Sequence, residues 1–395
     1  MSQHPSDAIV YLDYAATTPL APEVAAAMTT CIQEFGYLGN PSSVHLAGRR
    51  ARSAIETARE QVAALINASP AELIFTSGAT EADNLAIKGA ARFRAHRGRH
   101  VVTVQTEHKA VLASALSLRD EGFDVTVLPT EASGRVDPGA FAAALRPDTV
   151  LASVMHVNNE TGVIQDIEAL GQVCRDRGVL FHTDAAQSAG KLPLDVQALP
   201  VDLVSLSGHK CYGPQGIGAL YVAERSGCGV KPLLNGGSQE QRRRAGTEPV
   251  ALIQGFGVAA EVAADRLHDD MAHVTDLATR LWDGLRTTPG LQRNGAAEKS
   301  YPGILNVSVD DVEGESLMLA LRPLCVASGS ACNAQLSEPS FVLKAMGLTD
   351  LAAQGAIRFS FGRMTTREDI DFAVARYSAA VARLRGVSAP AEAAA

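Results

Sequence analysis

A lysine and an aspartate stand at the ends of two apolar stretches of this sequence. Asp184 ends "VLFHTD", and Lys210 follows "VSLSGH". Lysine is seldom buried without a partner, and an aspartate at a strand end either caps the next helix or holds a cation. A partly desolvated lysine amine forms Schiff bases with aldehydes, and a carboxylate can pair with a pyridinium nitrogen. Together, the two residues point to pyridoxal 5'-phosphate.

A turn that could bind the phosphate of such a cofactor lies earlier in the chain. "IFTSGATEADN" runs from a strand through Ser77 and Gly78 to Thr80, and Asp83 follows Thr80 at capping-box spacing. A helix that starts at a glycine offers free N–H groups to an anion. Helix capping without a ligand would explain this turn equally well if it stood alone. With Lys210 and Asp184, it completes a cofactor site.

Three further polar positions follow neighbouring strands. His108, in "QTEHKAV", could lie over the ring face of the cofactor, and Gln187, in "HTDAAQS", could donate to its phenolic oxygen. Asn158 and Asn159, in "MHVNNETG", fit ordinary turn chemistry equally well. A lone histidine is more often a satisfied loop or core residue than a catalyst. These residues therefore support the cofactor site only in combination with Lys210.

Two other ligand classes fit the same residues less well. The stretch "GHKCYGPQGIG" matches neither GxGxxG nor GxxxxGK[ST], so a nucleotide loop is disfavoured. A metal site made by His182, His209 and Cys211 agrees with the composition alone. We rank both below pyridoxal 5'-phosphate, with no metal expected.

These residues need a scaffold that brings strand ends together. Between about residues 70 and 225, β-rich stretches alternate with stretches whose apolar residues recur at helical spacing. The predicted strands are "ELIFT" (72–76), "HVVTV" (100–104), "FDVTVLP" (123–129), "TVLASVMHV" (149–157), "VLFHTD" (179–184), "VDLVSLS" (201–207) and "GALYV" (218–222). The alternation predicts an α/β domain with a mostly parallel sheet between helices. Such sheets bind ligands at the carboxyl ends of their strands.

A smaller α+β domain is predicted after this sheet. A long helical pattern begins at "EPVALIQGFG" and is followed by the strand patterns "ILNVSVD" and "AIRFSFG" and by a final helix. We place the large cofactor-binding domain at residues 20–265. Residues 1–19 and 266–395 would form the small domain, which carries a loop at about residues 325–340.

The composition limits the class of protein. The 395 residues carry a formal charge of −8 and are 46% hydrophobic, which is typical of soluble globular chains and argues against broad nucleic-acid binding. No targeting signal and no membrane-spanning apolar run is recognisable. The six cysteines form no CxxC pair, so neither a disulfide framework nor a zinc knuckle is indicated. We expect a cytoplasmic protein with reduced thiols.

Stretches spread from Tyr11 to about Arg363 carry a resemblance to a known family. They are "YLDYAATTP", "GNPSSVH", "FTSGATEADNLAIKG", "TEHKAV", "MHVNNETGVIQDI", "HTDAAQSAGKLPLD", "SLSGHKCYGPQGIGALYV", "RAGTEPV", "NVSVDDVEGESLMLAL", "SGSAC", "EPSFVLKAMGL" and "IRFSFGR". In this order they resemble the cysteine desulfurases, pyridoxal-phosphate enzymes of the class V aminotransferase group with fold type I. The chain is most similar to the group with a long catalytic loop.

The resemblance implies a role for each polar residue at the strand ends. Lys210 would bind the cofactor covalently, His108 would stack on its ring as an acid/base residue, and Asp184 would pair with the ring nitrogen. Further cofactor contacts would come from Ala79, Thr80, Asn159, Gln187, Ser207 and His209, and from Thr247 of the partner subunit, which implies a homodimer. Asn40 and Arg358 match positions that grip the substrate carboxylate, a group that suits the planar fork of arginine.

The stretch "ASGSACN" places a thiol, Cys332, after a run of small residues. It matches the family's nucleophile, which implies that L-cysteine becomes L-alanine while its sulfur is held as a persulfide on Cys332. The sulfur would pass to an acceptor protein for iron–sulfur cluster assembly or other thiolation. Attack needs the thiolate, which an unperturbed pKa near ~8.5 keeps at a few per cent at neutral pH. His108 is a candidate acceptor for the thiol proton.

Two departures from the family pattern bear on the sulfur acceptor. "NAQLSEPS" follows Cys332 in place of a serine/threonine-rich segment, and the sequence ends in "RLRGVSAPAEAAA" without the longer extension that meets a cluster scaffold. We expect Cys325 to be buried filler.

Two alternatives to a cysteine desulfurase stay open. One is a selenocysteine lyase or another class V enzyme without a cysteine persulfide step, and the other is a non-catalytic relative that only binds a partner.

Overall fold

The computed structural model describes residues 9–33, 39–328 and 339–386. The strands in these ranges are β1 (Val10–Tyr11), β2 (Leu73–Thr76), β3 (His100–Val104), β4 (Asp124–Leu128), β5 (Thr149–Ser153), β6 (Leu180–Asp184), β7 (Leu203–Ser207), β8 (Gly218–Val222), β9 (Leu291–Arg293), β10 (Ile304–Val309), β11 (Leu324–Cys325), β12 (Ala327–Ser328) and β13 (Ile357–Ser360). The helices are α1 (Pro22–Gln33), α2 (Leu46–Leu65), α3 (Ala79–Asn84), α4 (Ala90–Arg94), α5 (Lys109–Ser117), α6 (Pro138–Ala144), α7 (Ile167–Asp176), α8 (Val250–Leu285), α9 (Gly314–Ala320), α10 (Phe341–Ala345), α11 (Asp350–Gln354) and α12 (Arg367–Leu384).

The main sheet has, in the described part of the chain, the strand order β2-β8-β7-β6-β5-β3-β4. The pairs β4–β3, β3–β5, β5–β6 and β6–β7 are parallel, whereas β8 runs antiparallel to β7 and to β2. Apart from β4, each strand is buried along its whole length, as the continuous apolar stretches require. The predicted α/β fold with a mostly parallel sheet is confirmed.

One predicted strand is shorter than its apolar pattern. The pattern runs from residue 149 to residue 157, but β5 ends at Ser153. At Met155 the backbone N–H donates to the side-chain oxygen Oε1 of Glu107 at 2.7 Å. A side chain thus accepts the Met155 N–H, while the N–H groups of Val154 and His156 still donate to main-chain oxygens of β6.

A second sheet is built from the carboxyl-terminal part of the chain. Its order is β12-β13-β10-β9, and each of these pairs is antiparallel. Helix α8 joins the two regions, because Ile253 and Phe256 lie in the core under the main sheet while Leu277 and Leu281 lie in the core of the second sheet. The division into domains near residue 265 falls inside α8 and stays a prediction.

The amino-terminal segment from Val10 to Thr18 contacts both regions. Strand β1 pairs in parallel with β11, and the N–H of Tyr14 donates to Ser360 O at 3.1 Å, which fixes the segment to the second sheet. The N–H of Thr18 donates to His209 O at 2.9 Å, just after β7 of the main sheet. The segment therefore lies where the two sheets meet.

Across the described ranges, no helix combines the length and the apolar character needed to cross a membrane.

Candidate active site

The carboxyl ends of the main-sheet strands face a cavity of about 630 Å³. Most of the residues predicted to bind cofactor or substrate line it: Ala79, Thr80, His108, Asn159, Asp184, Gln187, Ser207, His209, Lys210 and Arg358. The fold thus brings together residues from six separate stretches of the sequence.

Three predicted site residues are not placed at this cavity. Asn40 is exposed, and its side-chain oxygen accepts a backbone N–H two residues on, at 2.9 Å. Thr247 is also exposed, and its expected contact belongs to a partner subunit. Cys332 lies outside the described residues. Pro339, the first described residue after that gap, lines the cavity.

The turn after β2 forms the start of a helix that can bind an anion. Gly78 is the N-cap of α3 with a φ of +147°, a conformation that side-chain-bearing residues rarely adopt. The first helical hydrogen bond joins Ala82 N–H to Gly78 O at 3.1 Å, so the N–H groups of Ala79 and Thr80 precede the helical ladder. The capping box predicted for Thr80 and Asp83 is wrong, because the backbone of Gly78 begins the helix and Asp83 is fully buried.

Two side chains after β7 can add to this anion site. The hydroxyl of Ser207 is buried and has no hydrogen-bond partner among the described residues, so its O–H is available to a ligand. His209 lies 3.1 Å from the hydroxyl of Thr17 through Nδ1. Burial lowers the pKa of His209 to about 4, aided by the nearby charges of Lys210 and Lys191, so its ring is neutral at pH 7.

Lys210 lies on a single helical turn, Gly208–Lys210, directly after β7. Its amine Nζ donates to the main-chain oxygens of Ala15 and Ala16, the latter at 2.7 Å. Both acceptors belong to the amino-terminal segment, so that segment sets the position of the amine within the cavity.

Asp184 ends β6 and lies on a buried floor of acidic groups. Its Oδ1 accepts the N–H of Ala186 at 2.8 Å. Beneath it are Asp83 and Glu107, both with 0% exposure. Oε2 of Glu107 and both oxygens of Asp83 lack a hydrogen-bond partner within the described ranges. The pKa of each is raised well above its usual value, first by burial and then by the charge of Asp184.

The nearest basic group to this floor carries no charge. His182 Nε2 lies 3.7 Å from Asp83, but its two ring nitrogens bond the hydroxyls of Ser153 and Ser205 at 2.8 and 2.9 Å. Burial lowers the pKa of His182 to about 3. A buried carboxylate without a cation costs more than its protonated form. Burial without a neighbouring cation therefore favours the protonated form of Asp83 and Glu107.

Asp184 differs from these two acids because it also lies near the amine of Lys210. Burial raises its pKa, whereas the neighbouring His108, the N–H of Ala186 and Lys210 lower it. His108 is the N-cap of α5, and its Nδ1 accepts the N–H of Ala110 at 3.2 Å. Since burial lowers the pKa of His108, its ring is neutral at pH 7 and carries its proton on Nε2.

Arg358, on β13, also lines the cavity and is only 3% exposed. Its Nη1 donates to Asn159 O and its Nη2 to Asp13 Oδ1, both at 2.7 Å. Its Nε is buried and has no hydrogen-bond partner in the described part of the chain. The guanidinium is thus held on two sides and keeps a free donor, which suits a carboxylate ligand.

Sequence reasoning missed a buried carboxyl beside Arg358. Glu160 is bound by the hydroxyl of Ser340, which also caps α10 by accepting Leu343 N–H at 3.1 Å. Burial raises the pKa of Glu160 to about 7, against the hydrogen bond from Ser340 and the charges of Arg358 and Lys109. The only signal for it was a glutamate inside the matched stretch "MHVNNETG".

The remaining cysteines have structural surroundings. Cys31, Cys174 and Cys211 are buried, and burial raises the pKa of Cys211 to about 11. Cys325 is partly exposed, so its prediction as buried filler is wrong: it lies on β11, which pairs only with the short β1 in the described ranges. No group of three His, Cys, Asp or Glu side chains in those ranges could hold a metal ion, which argues against a site at His182, His209 and Cys211.

Comparison with known proteins agrees with this geometry. The family model "Aminotransferase class-V" matches residues 10–372. The "Cysteine desulfurase IscS" of Enterobacter sp. (strain 638) is 50% identical over 380 residues, which cover 96% of this chain and 94% of that protein. The IscS of Vibrio campbellii (strain ATCC BAA-1116) is 52% identical over the same shares.

Solved structures show the same likeness. A "NifS-like protein" superposes with a TM-score of 0.88 at 35% identity and covers 95% of this chain and 100% of that chain. DndA from Streptomyces lividans gives a TM-score of 0.77 at 40% identity, with shares of 89% and 99%. "SspA in complex with cysteine" gives 0.79 at 39% identity, with shares of 89% and 98%.

Proposed function

The chain belongs to the cysteine desulfurases of the class V aminotransferase family, and we propose that it moves the sulfur of L-cysteine onto the thiol of Cys332. In the overall reaction the Cβ–S bond of the substrate breaks and an S–S bond forms on Cys332. The Cβ atom takes up the proton that the thiol gives up, so the products are L-alanine and a persulfide. The substrate carbon is reduced as its sulfur is oxidised, and no outside oxidant is needed.

Pyridoxal 5'-phosphate is the cofactor of this family, and the cavity fits it. The start of α3 and the free hydroxyl of Ser207 would hold the phosphate, and Asp184 would pair with the ring nitrogen. Asn159 Oδ1 is buried without a hydrogen-bond partner among the described residues, so it too can take a ligand donor. When bound, the cofactor would supply an aldehyde for amines and a ring that withdraws electrons.

The residues around the cavity divide the remaining work. Arg358 would hold the substrate carboxylate through its free Nε and thereby orient the substrate. Lys210, once its amine is free, would take the proton from the substrate Cα. His108 offers an Nε2–H donor in this conformation and becomes a proton acceptor only when its bond to Ala110 N–H is released.

One observation carries the proposal: Lys210, Asp184 and the start of α3 meet at one cavity that Arg358 also lines. The test is Cys332→Ala, assayed for alanine release and for the visible absorbance of the cofactor. We expect alanine release to be lost while the absorbance stays. Cys325→Ala is the matched control, because it removes a thiol seven positions upstream and should retain turnover.

Labelled L-cysteine followed by mass spectrometry would locate the sulfur directly. Label on Cys332 supports the proposal. Label on Cys325 or Cys211, or turnover by Cys332→Ala, would overturn it and favour a class V enzyme that works without a cysteine persulfide, such as a selenocysteine lyase.

We also propose that the chain acts as a homodimer. Thr247 is exposed and lies away from the cavity of its own chain, which suits a contact with the phosphate site of a partner subunit. Light scattering of the purified protein at micromolar concentration should give twice the mass of the chain, and a monomeric mass would contradict the proposal.

The persulfide sulfur would pass to an acceptor protein in the cytoplasm. Iron–sulfur cluster assembly is the destination that the IscS relatives favour. Incubation of the labelled persulfide form with a cluster scaffold and with a sulfur carrier would identify the acceptor as the protein that gains the label.

A further inference from the structure

Gln187 and Lys191 are brought together by the turns that follow β6. The N–H of Ala189 donates to Ala185 O, and that of Leu192 donates to Ser188 O, each at 2.9 Å. Lys191 Nζ lies 3.1 Å from Gln187 Oε1.

Gly190 lies within these turns, between Gln187 and Lys191. Gly190 has a φ of +72°, and a Cβ there would lie 2.9 Å from Ala263 Cβ. Glycine therefore satisfies both the left-handed backbone and the close approach of α8.

Two contacts fix which way the carboxamide of Gln187 points. Its Nε2 donates to Ala15 O at 2.8 Å, and its Oε1 accepts from Lys191. A carboxamide has two N–H donors and one oxygen, and its orientation follows from its partners. Both partners require the same orientation, which leaves one N–H of a side chain that lines the cavity.

We propose that Lys191 is a positioning residue of the cofactor site, which holds the oxygen of the Gln187 carboxamide so that the amide nitrogen serves the phenolic oxygen of pyridoxal 5'-phosphate. The inference rests on the proposed function. If the amide were reversed, its carbonyl would face that oxygen without a proton between them, which costs the hydrogen bond and adds repulsion.

The surroundings of Lys191 explain why a lysine suits this role. Its amine lies 5.8 Å from the ring centre of Tyr301, and burial, aided by the charges of Lys210 and Arg358, lowers its pKa to about 7. The charged ammonium and the neutral amine both carry N–H donors, so the bond to Gln187 survives the loss of charge. The site thus gains a donor without a permanent second cation beside Lys210.

The test is the pH titration of the visible absorbance of the cofactor-loaded enzyme. Lys191→Met keeps the length of the side chain and removes the donor. Without that donor the phenolic oxygen becomes more basic, so we expect the apparent pKa of the absorbance change to rise by about one unit, which is tenfold in the proton equilibrium. Lys191→Arg, which retains a donor, should shift it by less than half as much. The exposed Lys231→Met is the matched control and should not shift it.

A double-mutant comparison separates positioning from a direct charge effect. In a Gln187→Leu background, Lys191→Met should move the titration by less than half of its shift in the wild-type background. An unshifted titration in Lys191→Met, or equal shifts in the two backgrounds, would overturn the inference alone. A wild-type protein with no cofactor absorbance would overturn the proposed function as well. If Lys191→Met fails to fold, a shift of about one unit in Lys191→Arg, which retains a donor, would still contradict the role of the donor.

Discussion

The two ends of the cavity are held in different ways. At the cofactor end, Asp184 lies near Asp83 and Glu107, which are buried and whose pKa values are raised well above their usual range. At the substrate end, Arg358 is fixed by the carboxylate of Asp13 and by a main-chain oxygen. Burial controls proton affinity at the first end, and ion pairing controls position at the second. Charge changes should therefore damage the first end most, and changes of shape the second.

The largest expected effect comes from a loss of charge at the cofactor end. Asp184→Asn keeps the shape of the side chain and leaves the ring nitrogen without its buried counter-charge. Removal of one partner of a buried pair costs about 3–5 kcal/mol, so kcat should fall by about 10²–10³-fold. The measurement is steady-state alanine formation at saturating cysteine.

Asp83→Asn is the matched control for this change. Because burial favours the protonated form of Asp83, the amide replaces one neutral group with another, and kcat should stay within about threefold of wild type. A loss as large as that of Asp184→Asn would show that Asp83 is ionised and that the floor is not neutral.

The next effect tests shape at the substrate end. Arg358→Lys keeps the positive charge but loses the planar fork that holds Asp13 and a carboxylate together. With a charged hydrogen bond worth about 1.5–3 kcal/mol, KM for L-cysteine should rise about 10–100-fold. The cofactor absorbance and its pH titration should not change. A shift of that titration would mean that the two ends are electrostatically coupled.

The smallest effect concerns stability and the buried acid of the substrate end. Burial raises the pKa of Glu160 to about 7, whereas the unfolded chain has a pKa near ~4.3. Between these values the folded protein binds more protons, so the free energy of unfolding falls as the pH rises through this window. Glu160→Gln removes this pH-dependent loss of stability and keeps a side-chain oxygen that accepts the hydrogen bond from the Ser340 hydroxyl.

Thermal or urea unfolding at pH 5 and pH 8 measures this contribution. Between pH 5 and pH 8, the free energy of unfolding of Glu160→Gln should rise by about 1–2 kcal/mol relative to that of the wild type. Equal stability differences at both pH values would contradict the raised pKa.

The cofactor end was predictable from sequence because its residues follow strands. Asp184 and Lys210 end apolar stretches, and parallel strands place their carboxyl ends at one edge. Whether the side chain of Asp83 caps the helix or is buried was not predictable, because the spacing of Thr80 and Asp83 fits a capping box as well as it fits a buried helix face. Gly78 begins the helix two residues before Thr80, and Asp83 lies on the buried face of that helix.

The substrate end was less predictable because its contacts join distant parts of the chain. Asp13 and Arg358 are separated by 345 positions, and Glu160 and Ser340 by 180. No local pattern encodes such pairs; they arise when the amino-terminal segment and the second sheet pack beside the main sheet. The resemblance located Arg358 but gave no partner for it. The position of Cys332 lies outside the described residues and stays a prediction.

The amino-terminal segment has a consequence for how the protein is made. Ala15, whose carbonyl receives Lys210 and Gln187, donates its own N–H to the hydroxyl of Ser360 at 2.9 Å. Since translation delivers the amino terminus first, the nascent chain exposes this segment long before the ribosome has made β13. A chain still being translated can hold the lysine and aspartate of the site but not its arginine. Binding of the substrate amino acid by Arg358 is therefore possible only after β13 has left the ribosome.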